Sequence, residues 1–387
     1  MRIVELAVHQ VRIPLKKAIK HASHSRTETD NLVVRCALSN GNVGYGEGVP
    51  RDYVTGETVD SSIDVLKRSD LSAQLTPCSD YAQAIAVAER LTVSAGDERG
   101  IAGNAARCAV ELAFLDAYGR AFGENLIAVT RALASDLFEL KESVRYSTVL
   151  TSAKGLKLWL AATAYAWYGF QQYKVKVGIP GYDDVKRLRT VRNRTGAKAD
   201  LRIDANEAWT LDEAAERIAE LEPFGISSVE QPLPYELSGE LSKLRKRIKT
   251  PVMLDESLCG MVDAKRAVRE GWCDLFNIRL SKCGGLIPSL KLAQFAVRHG
   301  LGFQLGCQVG ETAILSAAGR MFASSVKGIR FLEGSYDRHL VRESLGMEDI
   351  TFGRGGVAPM LAGCGVGVLI DDAKLQALTV KREVLFG

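Results

Sequence analysis

Apolar and polar residues alternate along the first fifty positions, the spacing typical of half-buried strands. The alternation covers Arg2–Pro14, Asn31–Leu38 and Asn42–Val49, and a Ser-Asn-Gly-Asn link suited to a hairpin joins the last two. A polar, basic stretch, Lys16–Asp30, separates the first two and predicts a loop. From about residue 59 to residue 138 the spacing becomes helical, most clearly over Ala102–Ala121. Strands followed by helices predict a separate α+β domain.

From about residue 145, short apolar segments alternate with amphipathic helical stretches such as Asp183–Asn193 and Leu211–Pro223. The predicted strands are Tyr146–Leu150, Tyr173–Val177, Leu201–Ala205, Ser227–Gln231, Val252–Glu256, Phe276–Ser281, Gly302–Gln308 and Ile329–Glu333. This alternation predicts an α/β fold, and we favour a (β/α) barrel. A doubly wound sheet usually carries a Gly-rich loop after its first strand, which Leu150–Gly155 does not resemble. After Gly355, Val366–Ile370 is predicted to be a strand that returns to the N-terminal domain.

Composition narrows the possible partners. The chain has 387 residues, 47% hydrophobic and 25% charged, which is typical of a globular protein of two domains. Its net charge of +4 is scattered, so we expect neither nucleic acid nor a membrane surface as a partner. We expect no membrane helix and no signal peptide, because no apolar block is long enough. The eight cysteines lack close C-x-x-C spacing, which favours reduced thiols and a cytoplasmic location.

Two lysines end the second barrel strand. Barrel enzymes build their active sites at the C-terminal ends of the strands, and Lys174 and Lys176, at i and i+2, share one face. Adjacent ammonium groups repel each other, which favours loss of a proton from one of them and so a general base. Such a pair alone is more often a solvated strand edge, but Val175 and Val177 indicate a barrel strand here.

Carboxylates end the next three strands. Asp204, Glu230 and Asp255 are each one βα unit apart, and they would repel strongly unless a cation lay among them. A single strand-end aspartate is often a helix N-cap, but three in register are not explained that way. Oxygen-only ligation suits Mg²⁺. Asn206 and Glu256 extend the polar ring and are expected to orient the ligands.

A third lysine follows the sixth strand, in Ser281-Lys282-Cys283-Gly284-Gly285. Strands two and six lie on opposite sides of an eight-stranded barrel. Lys282 is therefore expected to face Lys174 and Lys176, with the carboxylates between. One base on each face of a substrate carbon suits two-base racemisation, or elimination with opposite stereochemistry. A structural lysine at the Gly-Gly turn is the alternative.

Together these motifs resemble the enolase superfamily, specifically its muconate-lactonizing subgroup, over nearly the whole chain. The resemblance implies a modified TIM barrel, (β/α)₇β, over residues 139–354. It also implies an α+β capping domain from residues 1–138, to which residues 355–387 return. Mg²⁺ would be held by Asp204, Glu230 and Asp255. A small carboxylate substrate would lose its α-proton through a metal-stabilised enediolate. Lys176 and Lys282 would act on opposite faces, and Lys174 would help to neutralise the intermediate.

The reaction within this subgroup stays open. The sequence allows a racemase or epimerase, a muconate cycloisomerase, a dehydratase (lyase) resembling o-succinylbenzoate synthase, or a metal- and carboxylate-binding barrel without turnover. Lysines on both sides favour turnover. The Thr55–Thr58 segment, Thr-Gly-Glu-Thr, resembles dipeptide epimerases, whereas Phe331–Asp337 departs from their Asp-x-Asp pattern. His299 and His339 do not match the His base of dehydratases resembling mandelate racemase.

Specificity is expected to come from the loops over the barrel mouth. The basic Lys16–Asp30 loop suits a second anionic group on the substrate, such as a dicarboxylate or an N-acyl amino acid, although a solvated charged loop is equally consistent. One extra residue before Glu311 departs from the subgroup pattern. The candidate substrate-binding residues are His24, Arg26, Arg51, Tyr53, Glu311 and Glu333. We expect a homo-oligomer whose ligands are Mg²⁺ and a small carboxylate.

Overall fold

The computed structural model describes residues 1–20, 25–93 and 96–387, without the side chains of residues 18–20, 25 and 26. The N-terminal region, which we define as residues 1–138, begins with strands and continues with helices. Its strands are β1 (Ile3–Lys20), β2 (Ser25–Leu38) and β3 (Val43–Gly48). Its helices are α1 (Asp52–Thr55), α2 (Val59–Arg68), α3 (Leu71–Gln74), α4 (Tyr81–Arg90), α5 (Asn104–Phe122) and α6 (Ile127–Leu133).

A short strand, β4 (Ser143–Arg145), precedes a series of alternating strands and helices. The series is β5 (Thr148–Leu150), α7 (Gly155–Tyr168), β6 (Gln172–Lys176), α8 (Asp184–Thr195), β7 (Asp200–Asp204), α9 (Leu211–Leu221), β8 (Ile226–Glu230), α10 (Leu241–Leu244), β9 (Val252–Leu254), α11 (Met261–Glu270), β10 (Leu275–Ile278), α12 (Leu286–Arg298), β11 (Gly302–Leu305), α13 (Ala313–Ser325) and β12 (Ile329–Leu332). The chain ends in α14 (Asp337–Leu340), β13 (Val357–Pro359), α15 (Asp372–Leu378) and β14 (Thr379–Phe386). Short 3-10 turns occupy Glu222–Phe224, Tyr235–Glu240 and Arg354–Gly356.

Strands β5 to β12 form one parallel sheet in chain order. A hydrogen bond of 2.7 Å from the Ser147 amide to the Leu332 carbonyl joins the first strand to the last and curls the sheet closed. Helices follow the first seven strands, so the predicted (β/α)₇β barrel is confirmed. Most residues of these strands are buried, because helices cover one face of the sheet and the barrel interior fills the other.

The N-terminal sheet has the order β14-β1-β2-β3 and is antiparallel. It confirms the predicted α+β cap. The strand that returns to it is β14. The prediction of a strand at Val366–Ile370 was wrong, because Gly365 and Gly367 have φ of 63° and 87°, which interrupts an extended backbone. That segment instead gives its Val366 amide to the Asp116 carboxylate.

The Lys16–Asp30 loop prediction was also wrong for the described residues, since β1 runs to Lys20 and β2 starts at Ser25. Apolar alternation continues past Pro14. Ile13 and Leu15 are buried in a cluster with Ile314 and Val341. Lys16 and Lys17, which follow Leu15, are exposed although they belong to β1, so basic residues here do not mark a loop.

Helix α5 lies directly on β3. Alternate glycines of the strand, Gly44, Gly46 and Gly48, face the helix, and a Cβ at Gly46 would lie 2.0 Å from the Ala109 carbonyl oxygen. A side chain at these positions would push the helix off the sheet. No helix of the described residues has the length and apolarity needed to span a bilayer.

We therefore expect Gly46→Ala to lower the free energy of unfolding by about 1–3 kcal/mol or more, through overpacking. Gly239→Ala is the matched control, because a Cβ there meets nothing within 4 Å. Urea unfolding of both variants measures the difference. Equal stabilities would show that α5 and β3 are not held in this close contact.

Candidate active site

The strand register brings the first candidates side by side. Lys176 pairs with Asp204 across β6 and β7, and Asp204 pairs with Glu230 across β7 and β8. Because neighbouring residues in a parallel sheet point the same way, all three side chains enter the barrel at one end. One layer deeper, Lys174 pairs with Arg202.

Lys174 is buried among carboxylates. Its Nζ lies 3.4 Å from Asp204 Oδ2, 3.3 Å from Glu230 Oε1 and 2.8 Å from Glu333 Oε1. Burial alone would lower its pKa, but the Glu230, Glu333 and Asp204 carboxylates raise the pKa above the ordinary value. Lys174 is therefore a fixed positive charge in this arrangement.

Lys176 is the more accessible member of the pair, with 23% of its side chain exposed against 4% for Lys174. Its Nζ donates to Asn206 Oδ1 at 2.7 Å and lies 4.0 Å from Asp204 Oδ2. Asn206 has a positive φ of 45°, an uncommon conformation that brings its side chain back toward the strand ends. Lys176 thus reaches the mouth of the barrel.

Lys282 approaches from β10, four strands away from β6 in the sheet order. Its Nζ donates to Asp255 Oδ1 and to the Asp255 carbonyl, both at 2.7 Å, and to the Asn277 carbonyl at 3.0 Å. Burial opposes its charge, but Asp255 raises its pKa above the ordinary value. The lysines therefore contact the carboxylate group from two sides.

Glu230 is the most enclosed of the three carboxylates. It accepts hydrogen bonds from Asn277 Nδ2 at 2.9 Å and from Lys174. Burial raises its pKa to about 7; the Lys174 ammonium opposes that shift, and Asp204 and Glu333 add to it. Asp255 behaves oppositely. Burial would raise its pKa, but contacts with Arg279 and Lys282 hold it well below the usual range.

The donor set fits a hard divalent cation. Every candidate ligand is a buried carboxylate oxygen, and Glu256 Oε2 is buried without a hydrogen-bond partner. Burial, with the Asp255 and Asp204 charges added to it, raises the pKa of Glu256 well above its ordinary value. A bound cation would remove that cost. Among the described residues, however, no three His, Cys, Asp or Glu side chains already form a compact metal-binding group. Lysines and Arg279 contact the carboxylates instead.

Several site residues were missed by the sequence reasoning. Arg279 contacts Asp255 and lies 3.6 Å from Glu230 Oε1, and Arg202 lies 2.5 Å from Glu333 Oε1 inside the barrel. The sequence contained the information needed to find Arg202, because it lies two residues before Asp204 and so shares its face of β7. Asn277, which holds both Glu230 and Lys282, lies two residues before Arg279. The i, i+2 rule that selected the lysines selects these residues as well.

The specificity candidates are dispersed. Glu333 contacts Lys174 and Arg202 inside the barrel. Arg51 donates to Val309 O at 2.9 Å and to Thr29 Oγ1 at 2.7 Å, and so connects the N-terminal region to the loop after β11. Tyr53 lies half-buried on α1. Only the backbone of Arg26 is described; it lies in β2 and pairs with Ile19 of β1. His24 lies outside the described residues.

Glu311 is enclosed in the loop after β11, where it accepts the Gln308 amide at 2.6 Å. Burial raises its pKa to about 8, while the Gln308 hydrogen bond opposes the shift. Between about pH 5 and 7.5 the folded chain keeps a proton that the unfolded chain releases. The free energy of unfolding should then fall as pH rises, by roughly 1 kcal/mol per pH unit from this group.

Glu311→Gln should therefore flatten the pH dependence of stability, and Glu216→Gln, exposed on α9, should leave it unchanged. Urea midpoints at pH 5.5, 6.5 and 7.5 measure the slope. A wild-type slope in Glu311→Gln would contradict the assignment.

Comparisons with known proteins identify the family. The model of the enolase C-terminal domain-like family matches residues 159–374, more than half of the chain. The chain belongs to the enolase superfamily. This match spans the barrel strands, and the loops directly after them, that bear the three lysines and the three carboxylates.

Similar superfamily members are racemases and epimerases. An L-Ala-D/L-Glu epimerase from Clostridium acetobutylicum is 31% identical over 335 residues, 84% of this chain and 87% of that one. An N-succinyl-L-Arg/Lys racemase from Bacillus cereus is 27% identical over 389 residues, covering 100% of both chains. A crystal structure of N-succinyl Arg/Lys racemase from B. cereus has a TM-score of 0.84 at 26% identity, covering 99% of this chain and 100% of that one.

A dipeptide epimerase from Enterococcus faecalis, solved with Mg and the dipeptide L-Leu-L-Tyr, has a TM-score of 0.81 at 25% identity. The alignment covers 95% of this chain and 99% of that one. The superfamily fold is therefore shared across the whole chain, cap and barrel together.

Proposed function

We propose that the protein is a Mg²⁺-dependent racemase or epimerase that removes the proton α to a substrate carboxylate and returns one to the opposite face. The observation that carries this proposal is the arrangement of lysines. Lys176 ends β6, Lys282 lies in the loop after β10, four strands away, and both lysines contact the group of carboxylates. A carboxylate-binding barrel without turnover needs no such pair.

Asp204, Glu230 and Asp255 would hold the metal, with Asn206 and Glu256 orienting them. Their buried oxygens are the ligands that Mg²⁺ prefers. Mg²⁺, when bound, would neutralise charge on the substrate carboxylate and so make the adjacent C–H more acidic. The fixed charge of Lys174 adds to this effect from inside the barrel.

Lys176 and Lys282 exchange roles with the direction of the reaction. In one direction the amine of one lysine takes the α-proton while the ammonium of the other delivers a proton to the opposite face. The reverse reaction begins from the complementary protonation states. Hydrogen bonding to the Asp255 carboxylate and carbonyl aims Lys282, and Asn206 aims Lys176. Each side chain is therefore held before the substrate arrives.

The relatives support N-succinylamino acids and dipeptides as the substrate class. Both carry a carboxylate next to a carbon bearing an exchangeable proton, with an amide on that carbon. We propose that the α-carboxylate lies at the metal-ligand cluster and that the amide arm extends toward the β1–β2 hairpin and α1. We assign Arg51, Tyr53 and Glu311 to that arm, because Arg51 donates to the Val309 carbonyl beside Glu311 and Tyr53 follows Arg51 on α1.

The test is a panel of N-succinylamino acids, dipeptides and muconates incubated with enzyme and Mg²⁺ in D₂O. Loss of the α-proton signal in NMR, together with formation of the other stereoisomer, is the expected result for an acyl amino acid or a dipeptide. Lactone formation from muconate without α-exchange of any acyl substrate would overturn the racemase proposal in favour of cycloisomerisation.

A further inference from the structure

The loop that bears Lys282 is held from outside the barrel. The side-chain amide of Asn104, the first residue of α5, donates to the Lys282 carbonyl at 2.7 Å and to the Cys259 carbonyl at 2.8 Å. Cys259 lies in the loop that follows Asp255. One amide therefore joins the loop of the candidate base to the loop of the candidate metal ligand.

Neighbouring residues of α5 hold the same loop. Arg107 donates to the Gly284 carbonyl at 2.5 Å, and Glu111 accepts the Ile287 amide at 3.0 Å at the start of α12. The loop and α5 are in close contact, since a Cβ at Gly284 would lie 2.9 Å from Asn104 Oδ1. This contact explains why the turn after Lys282 needs glycine, whose φ at Gly284 is 89°.

Asn104 is itself fixed by the Thr55–Thr58 segment. Glu57 accepts the Gly103 and Ala105 amides, each at 3.0 Å, and so caps the N-terminus of α5 on both sides of Asn104. Thr55 donates to Glu57 at 2.7 Å. Thr55, Glu57 and Asn104 are all buried. A continuous chain of hydrogen bonds thus runs from α1 through α5 to the Lys282 backbone.

Lys176 has a different support. Its carbonyl accepts from Arg187 Nη1 at 2.5 Å, and Arg187 belongs to α8 of the barrel itself. The two candidate bases are therefore held by separate parts of the molecule. Loss of the hydrogen bonds from α5 should therefore displace Lys282 and leave Lys176 in place.

We propose that Asn104 is a positioning residue for Lys282, fixing the base against Asp255 by joining the two loops. This inference rests on the proposed two-lysine function. It predicts a one-sided defect, because a displacement of about 1 Å at a catalytic group can cost about a hundredfold in rate. A residue that merely stabilises the fold would lower both half-reactions together.

The experiment measures α-exchange in D₂O from each enantiomer separately. The enantiomer whose exchange Lys282→Ala blocks defines the Lys282 face. Asn104→Ala and Asn104→Asp should lower exchange at that face by about tenfold to a hundredfold and change the other face less than about twofold. Asn104→Asp keeps the side-chain shape but replaces both donors with an oxygen that the Lys282 and Cys259 carbonyls repel, so it breaks the contact without opening a cavity. Asn193→Ala, exposed on α8, is the control.

Equal losses on both faces, or wild-type exchange on both, would overturn the proposal. Amide hydrogen exchange of the peptide covering residues 278–288 gives a second measurement that needs no substrate. It should lose protection in both Asn104 variants and keep protection in Asn193→Ala. Unchanged protection would also overturn the proposal. If the wild type exchanges no substrate, the proposed function fails, and this measurement still tests the contact.

Discussion

Lys282→Ala should lower α-proton exchange from one enantiomer by about a hundredfold or more and leave slow exchange from the other, and Lys176→Ala should do the reverse. In the proposed mechanism, each lysine serves one substrate face. Removing it leaves the opposite base able to take the α-proton from its own face, and once that lysine has exchanged with D₂O it returns a deuteron to the same face. Racemisation should stop in both variants.

Lys282→Arg separates charge from proton transfer. Arginine keeps the positive charge beside Asp255 but does not give up its proton at working pH. The variant should fold and should lose exchange at the Lys282 face as fully as the alanine variant. NMR of each enantiomer in D₂O, with Lys243→Ala at an exposed site as control, measures the losses. Wild-type exchange of both enantiomers in both alanine variants would exclude the lysine mechanism.

Removing the metal, or the central carboxylate that we propose holds it, should abolish activity. Chelation should lower the rate at least about a thousandfold, or ~4 kcal/mol of transition-state stabilisation, and added Mg²⁺ should restore it. Glu230→Gln should show the same loss, because a neutral amide both weakens metal binding and leaves Lys174 without one of its partners.

Glu216→Gln on the exposed face of α9 is the matched control and should keep full activity. Mg²⁺ titration by calorimetry should show binding to the wild type and to the control and much weaker binding to Glu230→Gln. Full activity after exhaustive metal removal, or unchanged Mg²⁺ affinity in Glu230→Gln, would contradict the assignment of the ligands.

The barrel was predictable because its strands are short apolar runs at regular spacing between amphipathic helices. The N-terminal sheet was predicted less completely. Charged residues after Pro14 led to the prediction of a loop where β1 continues, although β1 is buried on its other side as far as Leu15. Helix α15 and strand β14 were not predicted as elements. Pairing of β14 with β1 joins residues far apart in the chain, and local periodicity carries no information on such contacts.

The site was predictable where its residues obey strand geometry. Lys174, Lys176 and the three carboxylates follow from strand ends and the i, i+2 rule. The i, i+2 rule selects Arg279 but does not name Asp255 as its partner, and nothing local in the sequence links Asn104 to Lys282. Arg279 follows β10 and pairs with Asp255, which follows the neighbouring strand β9. Asn104 lies on α5, 178 positions before Lys282 in the chain. Only the folded chain brings these groups together.

The most direct test of the two-base proposal follows one enantiomer of an active substrate through its first turnovers in D₂O with Mg²⁺. Because the proton removed by one lysine is replaced from the other, the newly formed enantiomer should carry deuterium at the α-carbon from the start. Mass spectrometry of the separated enantiomers measures this. Product that keeps its original proton would mean direct return by a single base, and it would contradict the assignment of Lys176 and Lys282 to opposite faces.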